Sequence, residues 1–412
     1  MIHVSKFIPG GMALGTLENG KKIFFWNALP GEVISDYIIL KEKKSYIEAV
    51  ATTIESTSKF RQNPKDACFL STSPWQILDF SYELEAKRDL VKESLLEFHI
   101  PLDQLTIEPV KTDGKDYFYR NKMEYSLYWE NKTERIYLSF HARNSHKKIP
   151  LFLDTPEMPK ISRLSPFSLE TAGSSLECPK IAKKALKIVE ELNNAHASAR
   201  DFQSILLRCN QNGNVSGGLF EKRKPHPVFA NLTDKILGKE YSYSPNGFFQ
   251  INLPVYELAL KEIKREIDAS PIGNVLDLYA GVGTIGLSVA PDRNLTLVEV
   301  DKSAYHELVN NCKSKTANPI LSKSEDALNL IKPDQIVIVD PPRSGCDEKL
   351  INRFLEILPE KIIYLSCNPS TQARDIASLT KTGNYRITSI KPFNFFPHTP
   401  HIENLITLEK TK

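Results

Sequence analysis

Close cysteine pairs are missing from this sequence. Its six cysteines, Cys68, Cys178, Cys209, Cys312, Cys346 and Cys367, are scattered, and no two form a CxxC. A structural zinc or an iron–sulfur cluster needs closely spaced ligands, so no metal is supported and the cysteines are expected to be reduced thiols. Long apolar runs are missing too. No stretch approaches the roughly 18 residues that cross a bilayer, and residues 1–6 open no apolar leader. A cytoplasmic location without a membrane partner is the expectation. Nor is charge of one sign in excess: 53 Lys and Arg against 50 Asp and Glu leave a net charge of +3. That balance neither demands nor excludes nucleic acid, because binding needs a local patch. The lysine clusters at 41–44, 147–148 and 222–224 are more often solvated faces than binding sites. Internal repeats and low-complexity segments are absent.

What is present is enough chain for two or three cores: 412 residues with 41% hydrophobic content. Residues 1–58 read as a small β-barrel, with turn signals at Gly10-Gly11 and Asn19-Gly20 and strand-like runs at 22–26, 32–40 and 46–50. Residues 59–100 are a linker and a helix carrying Leu78, Leu84, Leu90, Val91, Leu95 and Leu96. Residues 101–245 mix strands (125–129, 136–140, 204–208) with a helix over 179–193, an α+β pattern. From 246 to 412 apolar strands at 274–279, 295–300, 336–340 and 362–365 alternate with helices. Such strands predict a parallel sheet covered on both faces.

Four stretches carry chemistry. Asp277-Leu278-Tyr279-Ala280-Gly281-Val282-Gly283-Thr284 lets a backbone approach a ligand at a helix start, and Glu299, about 20 residues on, can accept both ribose hydroxyls of an adenosine cofactor. Spacing alone fits a dinucleotide or S-adenosylmethionine equally. Asp277 leans to the latter, since an acid facing the ligand suits a sulfonium and repels a pyrophosphate. Asp340-Pro341-Pro342-Arg343 is a stiff strand-end loop whose carboxylate can orient a planar base. Ser366-Cys367-Asn368-Pro369 puts a thiol at a strand end, where open α/β sheets build their sites. A lone thiol is ordinarily a buried small hydrophobe. Here it can add to carbon 6 of a uracil, with Glu403 as the base that takes the carbon 5 proton and His398 and two prolines fixing its loop. In 246–252, Phe248 can stack on a base and Gln250 can bind a pyrimidine edge or the cofactor.

These stretches, in this order, resemble the RNA uracil-5-methyltransferases over nearly the whole chain. Gly10-Gly11-Met12-Ala13, Phe24-Phe25-Trp26 and 29–33 look like a TRAM barrel, an OB-like RNA-binding module. Tyr119-Arg120-Asn121-Lys122-Met123-Glu124 is similar to Y-R-N-K-x-E. Residues 248–252 match F-x-Q-x-N, 340–345 match D-P-P-R-x-G, 366–369 match S-C-N-P, and 396–403 match F-P-x-T-x-H-x-E. The resemblance implies a C-terminal class I, Rossmann-like methyltransferase fold using S-adenosylmethionine. It implies Cys367 as nucleophile and Glu403 as proton acceptor. Gln250, Tyr279, Gly281, Gly283, Thr284, Glu299 and Asp340 surround cofactor and uracil, with Asp326 an adenine contact. Phe248 is assigned to the substrate, and Arg120 and Lys122 touch RNA or brace the domain. It further implies a monomer acting on structured RNA, large-subunit ribosomal RNA ahead of transfer RNA. The chain departs from the family's C-G-G-C-x-x-Q run, where Leu70 and Ser73 stand at the cysteine positions, so no iron–sulfur cluster is expected.

Three rivals stay open. An amino-methyltransferase using the Asp-Pro-Pro loop would need no thiol. A non-catalytic RNA-binding or assembly factor would not need both Cys367 and Glu403. A NAD-dependent oxidoreductase would need an acid or base for hydride transfer that no motif places.

Overall fold

The structure, a computed structural model, describes residues 1–143, 145–151, 174–224, 227–312 and 317–411. The stretch 152–173 of the expected α+β region therefore lies outside the described residues.

Five strands close the N-terminal barrel: β1 (Ile2–Phe7), β2 (Ala13–Thr16), β3 (Lys22–Trp26), β4 (Val33–Glu42) and β5 (Tyr46–Ser56), in the order β1-β2-β3-β5-β4. The inward residues Ile2, Val4, Ile23, Phe25, Ile34 and Ala49 form its core, as strand alternation requires. Closure removes the exposed edges a small sheet would otherwise offer. After a short helix α1 (Phe69–Thr72), α2 (Phe80–Glu97) packs Ala86 and Leu90 into that same core. The sequence reading placed Leu78 on this helix. It lies before it instead, because Asp79 caps the helix by accepting from Ser81 N and Tyr82 N. Near α1, Gln76 donates to Asp66 Oδ2 at 2.7 Å and Ser73 Oγ at 2.7 Å. Asp66 in turn accepts from Ser175 N at 2.8 Å, so a hydrogen-bonded set ties this linker to the central region.

The central sheet runs β10-β9-β6-β7-β8, formed by β6 (Lys122–Glu130), β7 (Arg135–His141), β8 (Lys148–Pro150), β9 (Phe202–Cys209) and β10 (Val215–Glu221). Helix α3 (Pro179–Asn194) covers it with Ile181, Ala182, Ala185 and Val189. A hairpin, β11 (Leu232–Ile236) and β12 (Lys239–Tyr243), packs Leu232, Ile236, Tyr241 and Tyr243 into the core of the C-terminal sheet.

That sheet has seven strands in the order β15-β14-β13-β16-β17-β19-β18. They are β13 (Asn274–Leu278), β14 (Asn294–Glu299), β15 (Ala317–Leu321), β16 (Gln335–Val339), β17 (Lys361–Ser366), β18 (Tyr385–Phe393) and β19 (Glu403–Lys410). The helices are α4 (Leu253–Asp268), α5 (Thr284–Val289), α6 (Lys302–Asn311), α7 (Glu348–Ile357) and α8 (Pro369–Thr380). β13 to β17 are parallel, and two apolar cores lie on opposite faces. The strand order reverses between β13 and β16, so the crevice beyond their carboxyl ends is where such a sheet binds a ligand. β19 runs antiparallel to β17, which brings its first residue to that same end. Among the described residues no helix is long and apolar enough to cross a membrane.

Candidate active site

Each side chain of the site follows a strand end. Tyr279 to Gly283 follow β13, Glu299 ends β14, Asp340 follows β16 and Cys367 follows β17. Ser366 pairs with Asn404, so the next positions along the two strands, Cys367 and Glu403, come side by side. Of the residues expected at the site, all except Gly283, Asp326, Arg120 and Lys122 line one cavity of about 500 Å³, joined there by Tyr256, Asp301, Arg343 and Phe396.

The turn after β13 is shaped by left-handed backbone at Tyr279 (φ 64°), Gly281 (φ 57°) and Gly283 (φ 87°). At Gly283 a Cβ would meet Leu308 Cδ1 at 2.6 Å, so only glycine lets the turn close onto α6. Tyr256 Oη and Thr284 Oγ1 are 2.8 Å apart at the start of α5.

One sequence reading needs correction here. Asp277 does not face the cavity. It is fully buried, and its Oδ2 accepts from Gly286 N at 2.8 Å, bracing the turn from beneath. Glu299 lines the cavity, yet its carboxylate already accepts three backbone N–H groups: Gly281 N on Oε2 at 2.7 Å, and Val300 N and Asp301 N on Oε1 at 2.9 and 2.6 Å. A carboxylate has about four acceptor positions, so backbone amides fix this one at the cavity wall. Asp301 stands beside it in the lining.

Asp326 is exposed and is not brought to the cavity. Its neighbour Glu325 instead accepts from Tyr279 Oη at 3.2 Å. Lys122 is spent on structure: Nζ donates to Asn246 O at 3.2 Å and Gly247 O at 3.1 Å, holding the turn that presents Phe248. Phe248 is 74% exposed at the cavity mouth. Arg120 is half-buried away from the cavity, with its Nε unpartnered and its backbone bonded to Leu176 O and Cys178 N.

The electrostatics are those of a crowded acid cluster. Burial and the Asp340 charge push Glu403 well above the carboxylate range. Desolvation raises Asp340 to about 7, and burial raises Asp277 to about 7. Burial, then Glu403 and Asp340, pushes the Cys367 thiol up to about 11, opposed by the charge and hydrogen bond of Arg343. Sequence reasoning quoted Arg343 within a motif and gave it no role. Its guanidinium also lies 3.4 Å from Nδ1 of His401. Desolvation and the Arg343 charge push His401 down to about 4, so the ring is neutral and that nitrogen can accept.

The family described as tRNA (Uracil-5-)-methyltransferase matches residues 328–411, the segment from before β16 through β19. An RNA methyltransferase of Enterococcus faecalis is 28% identical over 431 residues, covering 94% of this chain and 92% of that one. One of Bacillus anthracis is 26% identical over 436 residues, covering 94% and 91%. The crystal structure of Pyrococcus abyssi tRNA (uracil-54, C5)-methyltransferase in complex with S-adenosyl-L-homocysteine superposes with a TM-score of 0.72 at 20% identity, covering 99% of this chain and 100% of that chain. These matches support the RNA uracil-5-methyltransferases as the family this chain resembles, with the family's own model matching its C-terminal segment.

The methyl donor of these RNA uracil-5-methyltransferases is S-adenosylmethionine, and the residues present fit it. Glu299, Asp301, Asp340 and Glu403 give the cavity four carboxyls against one guanidinium. Asp340 and Glu403, raised by burial and, for Glu403, by the Asp340 charge, are relieved by a cation, which a sulfonium supplies and a pyrophosphate does not. Gly281, Thr284, Glu299 and Asp301 would hold the adenosine end, and Asp340 and Gln250 the reacting end.

Proposed function

We propose that this protein methylates carbon 5 of a uridine in structured RNA through a covalent adduct on Cys367. The observation that carries the reading is the pairing of β17 with β19, which sets the thiol beside a buried carboxyl at the rim of a cofactor-sized cavity. Bound S-adenosylmethionine supplies an electrophilic methyl group. Cys367, as thiolate, adds to carbon 6 of the ring, and carbon 5 becomes the nucleophile. Glu403 takes the proton from methylated carbon 5, and the thiolate leaves carbon 6 as the double bond re-forms. A raised pKa makes Glu403 a strong proton acceptor once it is ionised. Asp340 and Gln250 orient the ring, and Phe248 offers a face on which a base splayed from its helix can stack.

The substrate is ribosomal or transfer RNA. The TRAM-like barrel speaks for ribosomal RNA of the large subunit. The same architecture spans the Pyrococcus abyssi transfer RNA enzyme, so both belong in the test. Purified protein and S-adenosylmethionine are incubated with unmodified transcripts of each class, with Cys367→Ala in parallel, and nucleosides are read by mass spectrometry. 5-Methyluridine with the wild type alone supports the reading, and the RNA that gains it names the class. Full activity in Cys367→Ala would favour methylation of an exocyclic amine. Cofactor binding without methylation of any RNA would favour a binding factor.

A further inference from the structure

The loop 394–402 between β18 and β19 is fastened to the N-terminal half of the chain by a buried polar set. Glu83 and Lys87, one turn apart on α2, are both fully buried. Lys87 Nζ lies 2.8 Å from Glu83 Oε1, and donates to Asn394 Oδ1 at 2.6 Å and to Phe396 O at 3.0 Å. Glu83 accepts from Asn394 Nδ2 at 3.1 Å and from His398 N at 2.9 Å. His398, fully buried with φ 60°, has Nε2 3.1 Å from Asp116 Oδ2, and its carbonyl accepts from Trp75 N at 3.0 Å. Tyr119 Oη donates to Pro397 O at 3.0 Å. From the barrel side, Gly11 presses on the loop so closely that a Cβ there would stand 2.1 Å from Pro400 Cβ.

Burying an ammonium and a carboxylate is costly even when they pair, and apolar residues of similar shape commonly hold a core as well or better. The bonds of this pair converge on one loop, and that loop ends at the reacting groups. Phe396 lines the cavity, His401 touches Arg343, and Arg343, Cys367 and His401 line one pocket.

We propose that Glu83 and Lys87 are positioning residues for methyl transfer: by fixing loop 394–402 they hold His401 against Arg343, and Arg343 against Cys367. The inference rests on the reading of Cys367 as nucleophile. It makes the N-terminal module part of the catalytic apparatus, since α2 shares its core with the barrel.

The test uses the full chain and the paired variant Glu83→Gln/Lys87→Met, which removes both charges and strands neither. Arg343→Gln and the triple variant complete the cycle. Adduct formation on Cys367 is followed against pH with transcripts containing 5-fluorouridine and S-adenosylmethionine, where fluorine at carbon 5 blocks release. Thermal unfolding and S-adenosylhomocysteine binding check the fold. The paired variant should bind S-adenosylhomocysteine as the wild type does and form adduct up to about tenfold more slowly at neutral pH, no more than loss of the guanidinium itself causes. Its rate profile should move to higher pH, as in Arg343→Gln, and the triple variant should lose no more than Arg343→Gln alone. An unmoved profile, or additive losses, overturns the proposal. Should the paired variant not fold, His401→Leu cuts the chain at its last link and must show the same shift; a wild-type profile there overturns it equally. If the wild type forms no adduct on either RNA, the functional reading itself falls and takes this inference with it.

Discussion

Arg343, on an exposed loop, lines one pocket with Cys367 and His401, and its guanidinium lies 3.4 Å from Nδ1 of His401. Two carboxyls, Glu403 and Asp340, oppose it. The thiol therefore rests protonated at neutral pH, at about 11, and only the thiolate can add to a ring.

Arg343→Gln should move the thiol further up. Loss of a contacting cation is worth roughly one pKa unit, so iodoacetamide should alkylate Cys367 about tenfold more slowly at pH 8. The alkylation profile against pH checks it. An unchanged profile would mean that the guanidinium does not act on the thiol.

Cofactor charge should then matter more than cofactor shape. Asp340 is raised to about 7 and Glu403 lies well above its usual range. A sulfonium favours their ionised forms and must displace their protons to bind well. S-Adenosylmethionine should therefore gain on S-adenosylhomocysteine, which lacks the sulfonium charge, as pH rises from 6 to 8, by up to about tenfold per unit for each proton released. Calorimetry of both ligands across that range measures the ratio, and a flat ratio would remove the acid cluster from cofactor choice.

Lys122 separates bracing from RNA contact. With Nζ bonded to Asn246 O and Gly247 O, Lys122→Met should weaken RNA binding severalfold through the loosened Phe248 turn. The slope of affinity against salt should stay unchanged. A phosphate contact would instead lower that slope by about one. S-Adenosylhomocysteine affinity should not move.

Much of this was legible in the chain. Apolar runs at 336–340 and 362–365 announced buried parallel strands, and strand ends then placed Asp340 and Cys367 at one rim. Less legible was how the rim is completed. Glu403 reaches it only because β19 runs antiparallel in register with β17, a pairing that no local pattern encodes. Spacing put Asp277 and Glu299 near the cofactor but could not show that Asp277 turns beneath the loop, or that backbone amides take most of Glu299. Position 326 lies away from the cavity, in the short turn after β15 whose Glu325 meets the hydroxyl of Tyr279. The role of Arg343 needed the fold, since His401, which aims it, stands 58 residues away in sequence.

Asp277 offers a test of stability rather than activity. Burial raises its carboxyl to about 7, against about 3.9 in an unfolded chain. Between those values the folded state holds a proton that the unfolded state has released, so this group's contribution is complete below about pH 4 and is lost as pH rises through 7. The ligand-free protein should thus lose stability from pH 5 to pH 7.5 in part through Asp277. Asp277→Asn cannot ionise and keeps an oxygen for Gly286 N, so its unfolding temperature should fall less steeply over that range, with the gap at pH 7.5 reaching a few kcal/mol at most. Parallel slopes for the two proteins in thermal scans across pH would show that Asp277 is ionised in the fold, with its charge met by more than the one amide at 2.8 Å.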